Sequence, residues 1–207
     1  MRWINYYFPN IYEWSLKILH GKNFRERYHF IAENIETGSN VLDMGCGTGI
    51  FGSFVCNKCN YIGIDLNNEF LKAAKNKGLK VFKCNIFDFK KYSKNVDTIV
   101  ICDVLHHIYP RHKTLLEKVA KSGIRKIIIC EPCIYKDKKN FLEKCKIFLY
   151  ALFDSDGINH FDLKYSSKWK YSKKQLKNFF INSVKFRKEL ILREIGKDII
   201  AVYNLRN

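Results

Sequence analysis

The sequence predicts an α/β fold built on a mostly parallel sheet. Between residues 40 and 131, short apolar runs alternate with longer stretches of helical period, which is typical of parallel strands joined by helical crossovers. The apolar runs are nearly continuous in β-branched residues, as expected for strands that are buried on both faces. Two further strand-like runs flank Gly196-Lys197, so we expect an antiparallel hairpin to close the sheet.

The elements can be assigned in order along the chain. One or two amphipathic helices are expected over residues 11–35, ahead of the sheet. The apolar runs predict five strands, at Asn40–Met44, Tyr61–Asp65, Lys80–Cys84, Asp97–Cys102 and Lys126–Cys130. Apolar stripes at residues 70, 71 and 74 and at residues 115, 116 and 119 predict two of the crossover helices. Further helices are expected over residues 136–153 and Ser172–Phe180, and the hairpin strands at Val184–Arg193 and Asp198–Tyr203.

Composition narrows the class of protein. Of the 207 residues, 47% are hydrophobic and 15% are aromatic, which argues against a disordered chain. No apolar run approaches the roughly 20 residues that span a bilayer, and the first residues lack the features of a secretory signal. We therefore expect a cytoplasmic protein without an integral membrane segment.

The net charge is strongly positive, because 37 Lys and Arg residues against 20 Asp and Glu residues give +17. This charge is compatible with a nucleic-acid partner. Lys outnumbers Arg by 29 to 8, however, and Arg is the usual residue for bidentate phosphate recognition. Solvated lysines are therefore favoured over a dedicated phosphate-binding face.

Eight cysteines in a chain without an export signal indicate reduced thiols. Two pairs have the spacing of zinc ligands, Cys56 with Cys59 and Cys130 with Cys133. In the expected fold the first pair lies at the amino-terminal edge of the sheet and the second pair at its carboxyl-terminal edge. One zinc ion cannot bind all four thiols, so no metal site is predicted.

A glycine-rich segment, Asp43-Met44-Gly45-Cys46-Gly47-Thr48-Gly49, directly follows the first strand and opens a helix. Glycines at this place let the backbone approach a ligand closely, and the start of a helix offers free N–H groups. Ile50 stands where a dinucleotide-binding fingerprint has its third glycine. This departure disfavours a nicotinamide cofactor, and with it a dehydrogenase.

Polar residues also follow the next two strands. Asp65 ends the second strand, twenty residues after Gly45, where a carboxylate can accept hydrogen bonds from both ribose hydroxyls. The alternative role for Asp65 is to cap the helix that follows. Asn85 follows the third strand, where its amide can bind an adenine edge between Leu66 and Ile86, and its alternative role is that of a turn residue.

With these motifs the chain resembles the class I S-adenosylmethionine-dependent methyltransferases, above all the small type built from the catalytic domain alone. The resemblance covers about residues 38–131 and rests on the Asp43–Gly49 motif, on Asp65 and on Asp103 after the fourth strand. It implies a doubly wound, Rossmann-like sheet of seven strands in which the C-terminal hairpin supplies the one antiparallel strand. Helices at the N-terminus would precede this sheet.

The resemblance also implies a cofactor, S-adenosylmethionine, and the residues that bind it. The methionine moiety would lie against Gly45, Cys46, Gly47, Gly49 and Asp103, the ribose against Asp65, and the adenine against Asn85 and Ile86. Asp43 and Leu66 complete the expected set. The sequence departs from the family pattern at Asn85, which is usually Asp, and at Lys121-Ser122-Gly123-Ile124, which replaces a Lys-Pro-Gly-Gly turn.

We expect one methyltransferase domain over residues 1–207. It would comprise an N-terminal helical cap (1–37), a cofactor-binding core (38–135), a helical substrate lid (136–180) and a closing hairpin (181–207). The start of the cap and residues 141–171 are rich in aromatic side chains, which suit either core packing or a lid that sets specificity. An aromatic and basic lid fits an apolar acceptor with an anionic group, such as a lipid intermediate.

Methyl transfer from a sulfonium is an in-line displacement that needs few catalytic residues. His106 and His107 follow Asp103 closely, and either could act as general base for an oxygen or thiol nucleophile. A His-His-Ile-x-Pro run at this place is also common in family members with diverse substrates, which suggests that it shapes the loop. Glu131, at the end of the fifth strand, leaves the same two alternatives open.

The leading prediction is a methyltransferase that acts on a small-molecule or lipid-like acceptor. An RNA (tRNA) methyltransferase is the alternative enzyme, although the Asn/Asp-Pro-Pro-Tyr/Phe motif used for exocyclic amines does not follow the fourth strand. A third possibility is a non-catalytic, methyltransferase-like partner subunit. The intact glycine loop and Asp65 argue against this possibility, because a degenerate subunit is free to lose both.

Overall fold

The structure is a computed structural model, and it describes residues 8–133 and 169–205. Its helices are α1 (Pro9–His20), α2 (Asn23–Glu33), α3 (Ile50–Val55), α4 (Asn68–Asn76), α5 (His112–Ala120) and α6 (Lys173–Ser183). Its strands are β1 (Asn40–Met44), β2 (Asn60–Asp65), β3 (Val81–Lys83), β4 (Thr98–Cys102), β5 (Lys126–Pro132), β6 (Arg187–Ile195) and β7 (Asp198–Leu205). A 3-10 segment, Ile86–Tyr92, lies between β3 and β4.

The seven strands form one sheet in the order β3-β2-β1-β4-β5-β7-β6. β7 pairs antiparallel with both β5 and β6, and the pairs among β1 to β5 are parallel. The predicted α/β class with its C-terminal antiparallel hairpin is thereby confirmed. The chain builds outward from β1 to β2 and β3 on one side and from β4 to β5 on the other, so the strand order switches between β1 and β4. Ligands of such sheets bind at the carboxyl ends of the strands at this switch point.

Several element boundaries differ from the predicted ones by a few residues. α6 continues to Ser183 instead of ending at Phe180, and β6 begins at Arg187 because Val184 is the C-cap of that helix. β5 extends to Pro132 because its pairing with β7 continues to that residue. The hairpin therefore covers the full length of β5, which helps to fix the carboxyl end of this strand.

Apolar side chains cover both faces of the sheet. In β4, Ile99 and Ile101 belong to the layer that includes α5 and α6, whereas Val100 belongs to the layer that includes α2, α3 and α4. All three side chains are fully buried. Burial on both faces explains why the strands are almost continuously apolar in sequence.

The region ahead of the sheet forms two helices, which are separated at Gly21. This residue has a φ of 53°, a left-handed conformation that favours glycine. α1 packs on both α2 and α4, and the rings of Tyr12 and Phe70 lie 4.7 Å apart between α1 and α4. The helices that precede the sheet thus reach the same side as the glycine-rich loop.

Some predictions fall on residues outside the described parts of the chain. These are the helix over residues 136–153, most of the lid at 136–180, and the aromatic side chains at positions 3, 6 and 7. The division of the chain into cap, core, lid and closing hairpin stays a prediction. Among residues 8–133 and 169–205, no helix combines the length and the apolar character needed to cross a membrane.

Candidate cofactor site

A cavity of about 670 Å³ opens at the carboxyl ends of β1, β2, β3 and β4. Most of the residues predicted to bind the cofactor line it, namely Asp43, Gly45, Cys46, Gly47, Asp65, Leu66, Asn85, Ile86 and Asp103. Gly49 is the exception, since a Cβ atom built on it would lie 2.4 Å from Leu79 Cδ1 and 3.0 Å from Ala74 Cβ. The structure therefore brings residues from four strand ends to one cavity, and Gly49 packs behind it against the α4 region.

The loop after β1 is held close to its neighbours on one side and is open on the other. The N–H groups of Gly45 and Cys46 both donate to Ile64 O, at 2.8 and 3.0 Å. A Cβ atom on Gly45 would lie 2.4 Å from Val104 Cγ2, so only glycine fits there. Gly47 has a φ of 53° and no atom within 4 Å of its Cβ position. The absence of a side chain thus leaves space beside the Gly47 backbone, through which a ligand can approach closely.

Asp65 ties the end of β2 to this loop. Its Oδ2 accepts a hydrogen bond from the Gly47 N–H at 2.9 Å, and its Oδ1 accepts one from the Asn67 N–H at 2.8 Å. The alternative role of Asp65 as a helix cap is wrong, because Asn67 is the N-cap of α4 and accepts from the N–H groups of Glu69 and Phe70. Burial raises the pKa of Asp65, and the backbone donors partly offset this effect.

Asp43 lies beneath the glycine loop and is almost completely buried. Its Oδ2 accepts a hydrogen bond of 2.7 Å from the Tyr61 hydroxyl. Burial raises the pKa of Asp43 to about 7, although the hydrogen bond from Tyr61 acts in the opposite direction. The carboxyl group therefore changes its charge near neutral pH, immediately below the loop.

Asn85 has one of the two roles that the sequence left open. Its side-chain oxygen accepts a hydrogen bond from the Phe87 N–H at 3.0 Å and caps the 3-10 segment, as a turn residue would. Asn85 and Ile86 also line the cavity, and so does Leu66, which follows the neighbouring strand β2. The role of these residues in binding adenine stays a prediction.

Asp103 follows β4 with a φ of 58°, which is rare for a residue other than glycine. Its Oδ2 forms an ion pair with Nη2 of Arg27 at 2.7 Å. Burial alone would raise the pKa of Asp103, but the nearby Arg27 guanidinium and, to a smaller extent, His20 bring it below its ordinary value. Asp103 is therefore a carboxylate at neutral pH, in contrast to Asp43.

Sequence reasoning missed Arg27, whose side chain is fully buried. Besides Asp103, the guanidinium donates from Nη2 to the Tyr28 hydroxyl at 2.8 Å and contacts Asp198 Oδ2 from Nη1 at 3.4 Å. One signal was present in the sequence. Arg27 stands within the apolar stripe of α2 formed by Phe24, Tyr28 and Ile31, where a charged residue needs a buried partner.

The two candidate catalytic histidines have different surroundings. His106 Nδ1 lies 2.7 Å from Oε2 of the fully buried Glu131, and the other oxygen of Glu131 accepts from the N–H groups of Val104 and Leu105 at 2.8 and 2.6 Å. His107 lines the cavity, and its ring centroid is 4.0 Å from that of His106. Glu131 thus fixes the loop that carries both histidines.

Apolar and aromatic side chains form the remaining cavity wall, among them Tyr12 and Leu16 from α1, Tyr28 from α2, and Ile108 and Tyr109 from the loop after β4. Trp169 is buried elsewhere. Its Nε1 donates to Pro132 O at 2.8 Å, and its ring packs against His112 and Tyr171. For Trp169 and Tyr171 the structure therefore shows packing against α5, which is the simpler of the two roles considered for these aromatic residues.

The CxxC cysteines show local contacts. Cys59 Sγ contacts Val55 O at 3.3 Å, and Cys133 Sγ contacts Lys197 O at 2.9 Å. Cys56 is exposed, whereas Cys130 is fully buried in the sheet. Over residues 8–133 and 169–205, no three His, Cys, Asp or Glu side chains are grouped so that they could hold a metal ion.

The cavity fits the cofactor that the resemblance implies. S-adenosylmethionine carries a sulfonium and an ammonium against a single carboxylate, so a site for it should be acidic. Three carboxyl groups, of Asp43, Asp65 and Asp103, line the cavity in a chain whose net charge is +17. The open backbone at Gly47 and the polar group of Asn85 provide contacts for the uncharged parts of such a ligand.

Comparisons with known proteins concern the sequence family and the fold. Residues 42–122 match the sequence family described as a methyltransferase domain. A search of curated protein sequences found no match. The segment that matches includes the end of β1, the glycine loop, Asp65, Asn85 and the loop with Asp103, His106 and His107.

Several solved structures share the fold. The CurJ carbon methyltransferase has a TM-score of 0.67 at 14% identity, over 93% of this chain and 58% of that one. The small RNA methyltransferase HEN1 has a TM-score of 0.65 at 17% identity, over 88% of this chain and 25% of that one. A SAM-dependent methyltransferase from Archaeoglobus fulgidus has a TM-score of 0.62 at 17% identity, over 91% of this chain and 96% of that one. Residues 42–122 thus match a methyltransferase-domain family, and the chain shares its fold with solved methyltransferases.

Proposed function

We propose that the chain is an S-adenosylmethionine-dependent methyltransferase of the cytoplasm and that it acts on a small-molecule or lipid-like acceptor. The acceptor enters the cavity beside residues 103–109. The observation that carries the proposal is the mixed lining of the cavity. Three carboxyl groups line it together with apolar side chains from α1, α2 and the loop after β4. Such a lining suits a charged cofactor and, beside it, an apolar acceptor.

The cofactor residues predicted from the sequence would act as follows. Asp65 binds the ribose, Asn85 and Ile86 hold the adenine, and Asp103 with the loop around Gly47 holds the methionine moiety. The bound cofactor supplies an activated methyl group on a sulfonium. The chain's contribution is to align the acceptor, to keep water out and to take up one proton.

We assign proton uptake to His107 and a positioning role to His106. His107 lines the cavity. His106 is held by the carboxyl group of Glu131, and its ring lies against that of His107 at a tilt of 41°. The acceptor atom would have one proton to lose as it takes up the methyl group that the bound cofactor supplies. The proton of the acceptor then passes to the ring nitrogen of His107.

The proposal is tested by incubating the protein with a labelled methyl donor and with fractionated metabolite and lipid extracts. We expect label in a small-molecule or lipid fraction, and we expect Asp65→Ala to abolish it. His107→Ala should lower turnover by about 100-fold, in the range found for general bases. The matched control is His29→Ala, because His29 is exposed on α2 and does not line the cavity. Equal turnover of the His107 and His29 variants would contradict the assigned base.

RNA is the second candidate acceptor. It is favoured by the net charge of +17 and by the likeness in fold to a small RNA methyltransferase. Labelled transfer to tRNA, with an affinity that falls steeply as salt rises, would replace the leading proposal. Cofactor binding without transfer to any of these pools would instead support the partner-subunit reading.

A further inference from the structure

We propose that Arg27 is a positioning residue for cofactor binding, which orients Asp103 from behind the cavity wall. The affinity of the site for the amino-acid part of the cofactor would then depend on α2, which lies outside the segment that matches the family. This inference rests on the proposed role of Asp103 in binding the methionine moiety.

The geometry places Arg27 behind two cavity residues. Its Nη2 contacts Asp103 Oδ2 at 2.7 Å and the Tyr28 hydroxyl at 2.8 Å, and both of these residues line the cavity. Arg27 itself is fully buried and does not line the cavity. Any effect of Arg27 on a ligand must therefore pass through its neighbours.

The ion pair engages one oxygen of the Asp103 carboxylate. Within residues 8–133 and 169–205, the contacts of this carboxylate with Arg27 and with Cys102 Sγ both use Oδ2. The second oxygen is thus available to an ammonium group in the cavity. The directional N–H bond from the guanidinium holds Oδ2 in place and so restricts the orientation of the carboxylate.

Stability alone gives a weak reason for this arrangement. One guanidinium is shared between Asp103 and Asp198, and Arg27 Nε and Asp198 Oδ1 have no hydrogen-bond partner among the described residues. Apolar side chains of similar volume often stabilise a fold as well as a buried ion pair does. The role of orienting a ligand-binding carboxylate explains why a charged residue, Arg27, stands at this buried position.

The experiment compares two ligands on the full chain by calorimetry. S-adenosylhomocysteine carries the amino-acid tail, whereas methylthioadenosine keeps the adenosine and lacks the tail. For Arg27→Met and Arg27→Lys we expect the affinity for S-adenosylhomocysteine to fall about tenfold or more, as for the loss of one charge-assisted hydrogen bond. The affinity for methylthioadenosine should change less than about twofold.

The Lys variant keeps the test valid if Arg27→Met does not fold. Lys retains the positive charge but lacks the planar fork that orients a carboxylate. Asp198→Asn is the matched control, because it removes the other carboxylate of Arg27 and should leave the ratio of the two affinities unchanged. Equal losses for both ligands, or no loss for either, would show that Arg27 only stabilises the fold.

Further variants separate the inference from the proposals on which it rests. Asp103→Ala should change the ratio in the same direction as Arg27→Lys. If Asp103→Ala leaves the ratio unchanged while Asp65→Ala abolishes binding of both ligands, the role of Asp103 is wrong and the cofactor site stands. If the unmodified chain binds neither ligand, the site itself is wrong.

Discussion

The acids at the ends of β2 and β4 line the same cavity but are held in opposite ways. Asp65 accepts two backbone hydrogen bonds, from Gly47 at 2.9 Å and from Asn67 at 2.8 Å. Asp103 pairs instead with a buried guanidinium at 2.7 Å, supplied by α2. The carboxylate at the end of β2 is thus held by backbone N–H groups, which almost any sequence with this turn supplies. The carboxylate at the end of β4 depends instead on the side chain of Arg27.

This difference has an energetic consequence. A carboxylate held by backbone N–H groups keeps these donors when other side chains change. A carboxylate paired with a buried cation becomes an isolated charge when the cation is lost, and isolated buried charges are strongly destabilising. The two halves of the cavity should therefore respond very differently to mutation.

The largest effect is expected from Arg27→Met. It leaves Asp103 and Asp198 without their shared cation and should lower the free energy of unfolding by about 3–5 kcal/mol. Urea denaturation measures this change. The control is Arg125→Met, which breaks the 2.6 Å pair with Asp97 on the surface and should cost less than about 1 kcal/mol. Similar losses in both variants would show that the buried ion pair of Arg27 matters no more to stability than the surface pair of Arg125.

Next in size is the effect of Asp65→Ala on ligand affinity. Losing a carboxylate that accepts from both ribose hydroxyls should weaken binding by about 50-fold, or roughly 2 kcal/mol. The loss should be the same for S-adenosylhomocysteine and methylthioadenosine, since both contain the ribose. Calorimetry with the two ligands checks this expectation, and a loss confined to S-adenosylhomocysteine would place Asp65 at the tail.

Asp43 extends the comparison to an acid that, among residues 8–133 and 169–205, pairs with a tyrosine hydroxyl and with neither a cation nor a backbone donor. Because burial raises its pKa to about 7, the folded chain keeps a proton that the unfolded chain loses above about pH 4. The stability that this proton contributes is complete below about pH 4 and is lost as the pH rises towards 7. Between pH 5 and 7 the free energy of unfolding should fall by about 2 kcal/mol.

Denaturation at several pH values, with Asp43→Asn alongside, tests this expectation. The variant cannot titrate at this position. Its free energy of unfolding should therefore fall less between pH 5 and 7 than that of the unmodified chain. Parallel curves for the two proteins would show that Asp43 is ionised throughout the range.

The smallest effect is expected from Tyr61→Phe. The variant removes the hydroxyl that donates to Asp43 at 2.7 Å and should lower the free energy of unfolding by about 1 kcal/mol. Repeating the change in the Asp43→Asn background gives a double-mutant cycle that isolates the pair. A zero interaction energy would mean that the hydroxyl does not stabilise the acid beneath the loop.

The parts of the site that sequence reasoning found are those that depend on near neighbours. The glycines of the loop and Asp65 were recognisable because a strand, a turn and a following helix lie together in the sequence. The strands were placed well for the same reason, as burial on both faces leaves a continuous apolar run, such as Ile127 to Cys130 in β5.

The features that sequence reasoning missed depend on distant partners. Arg27 interrupts the apolar stripe of α2, but its partners Asp103 and Asp198 are far away in the chain. Glu131 was singled out without its function, because only the fold brings its carboxylate to the N–H groups of Val104 and Leu105. Side-chain pairing across the sheet leaves no periodic pattern to read.

The contact between Arg27 and Asp198 joins residues that are 171 positions apart, in the middle of α2 and at the start of β7. During synthesis on the ribosome, α2 and the glycine loop emerge long before the last strand. Arg27 therefore lacks one of its two carboxylates until the start of β7 has been synthesised. The ion pairs around Arg27 are thus completed only when the C-terminal hairpin has been made, so we expect a nascent chain that lacks β7 to hold α2 less firmly than a chain that contains β7.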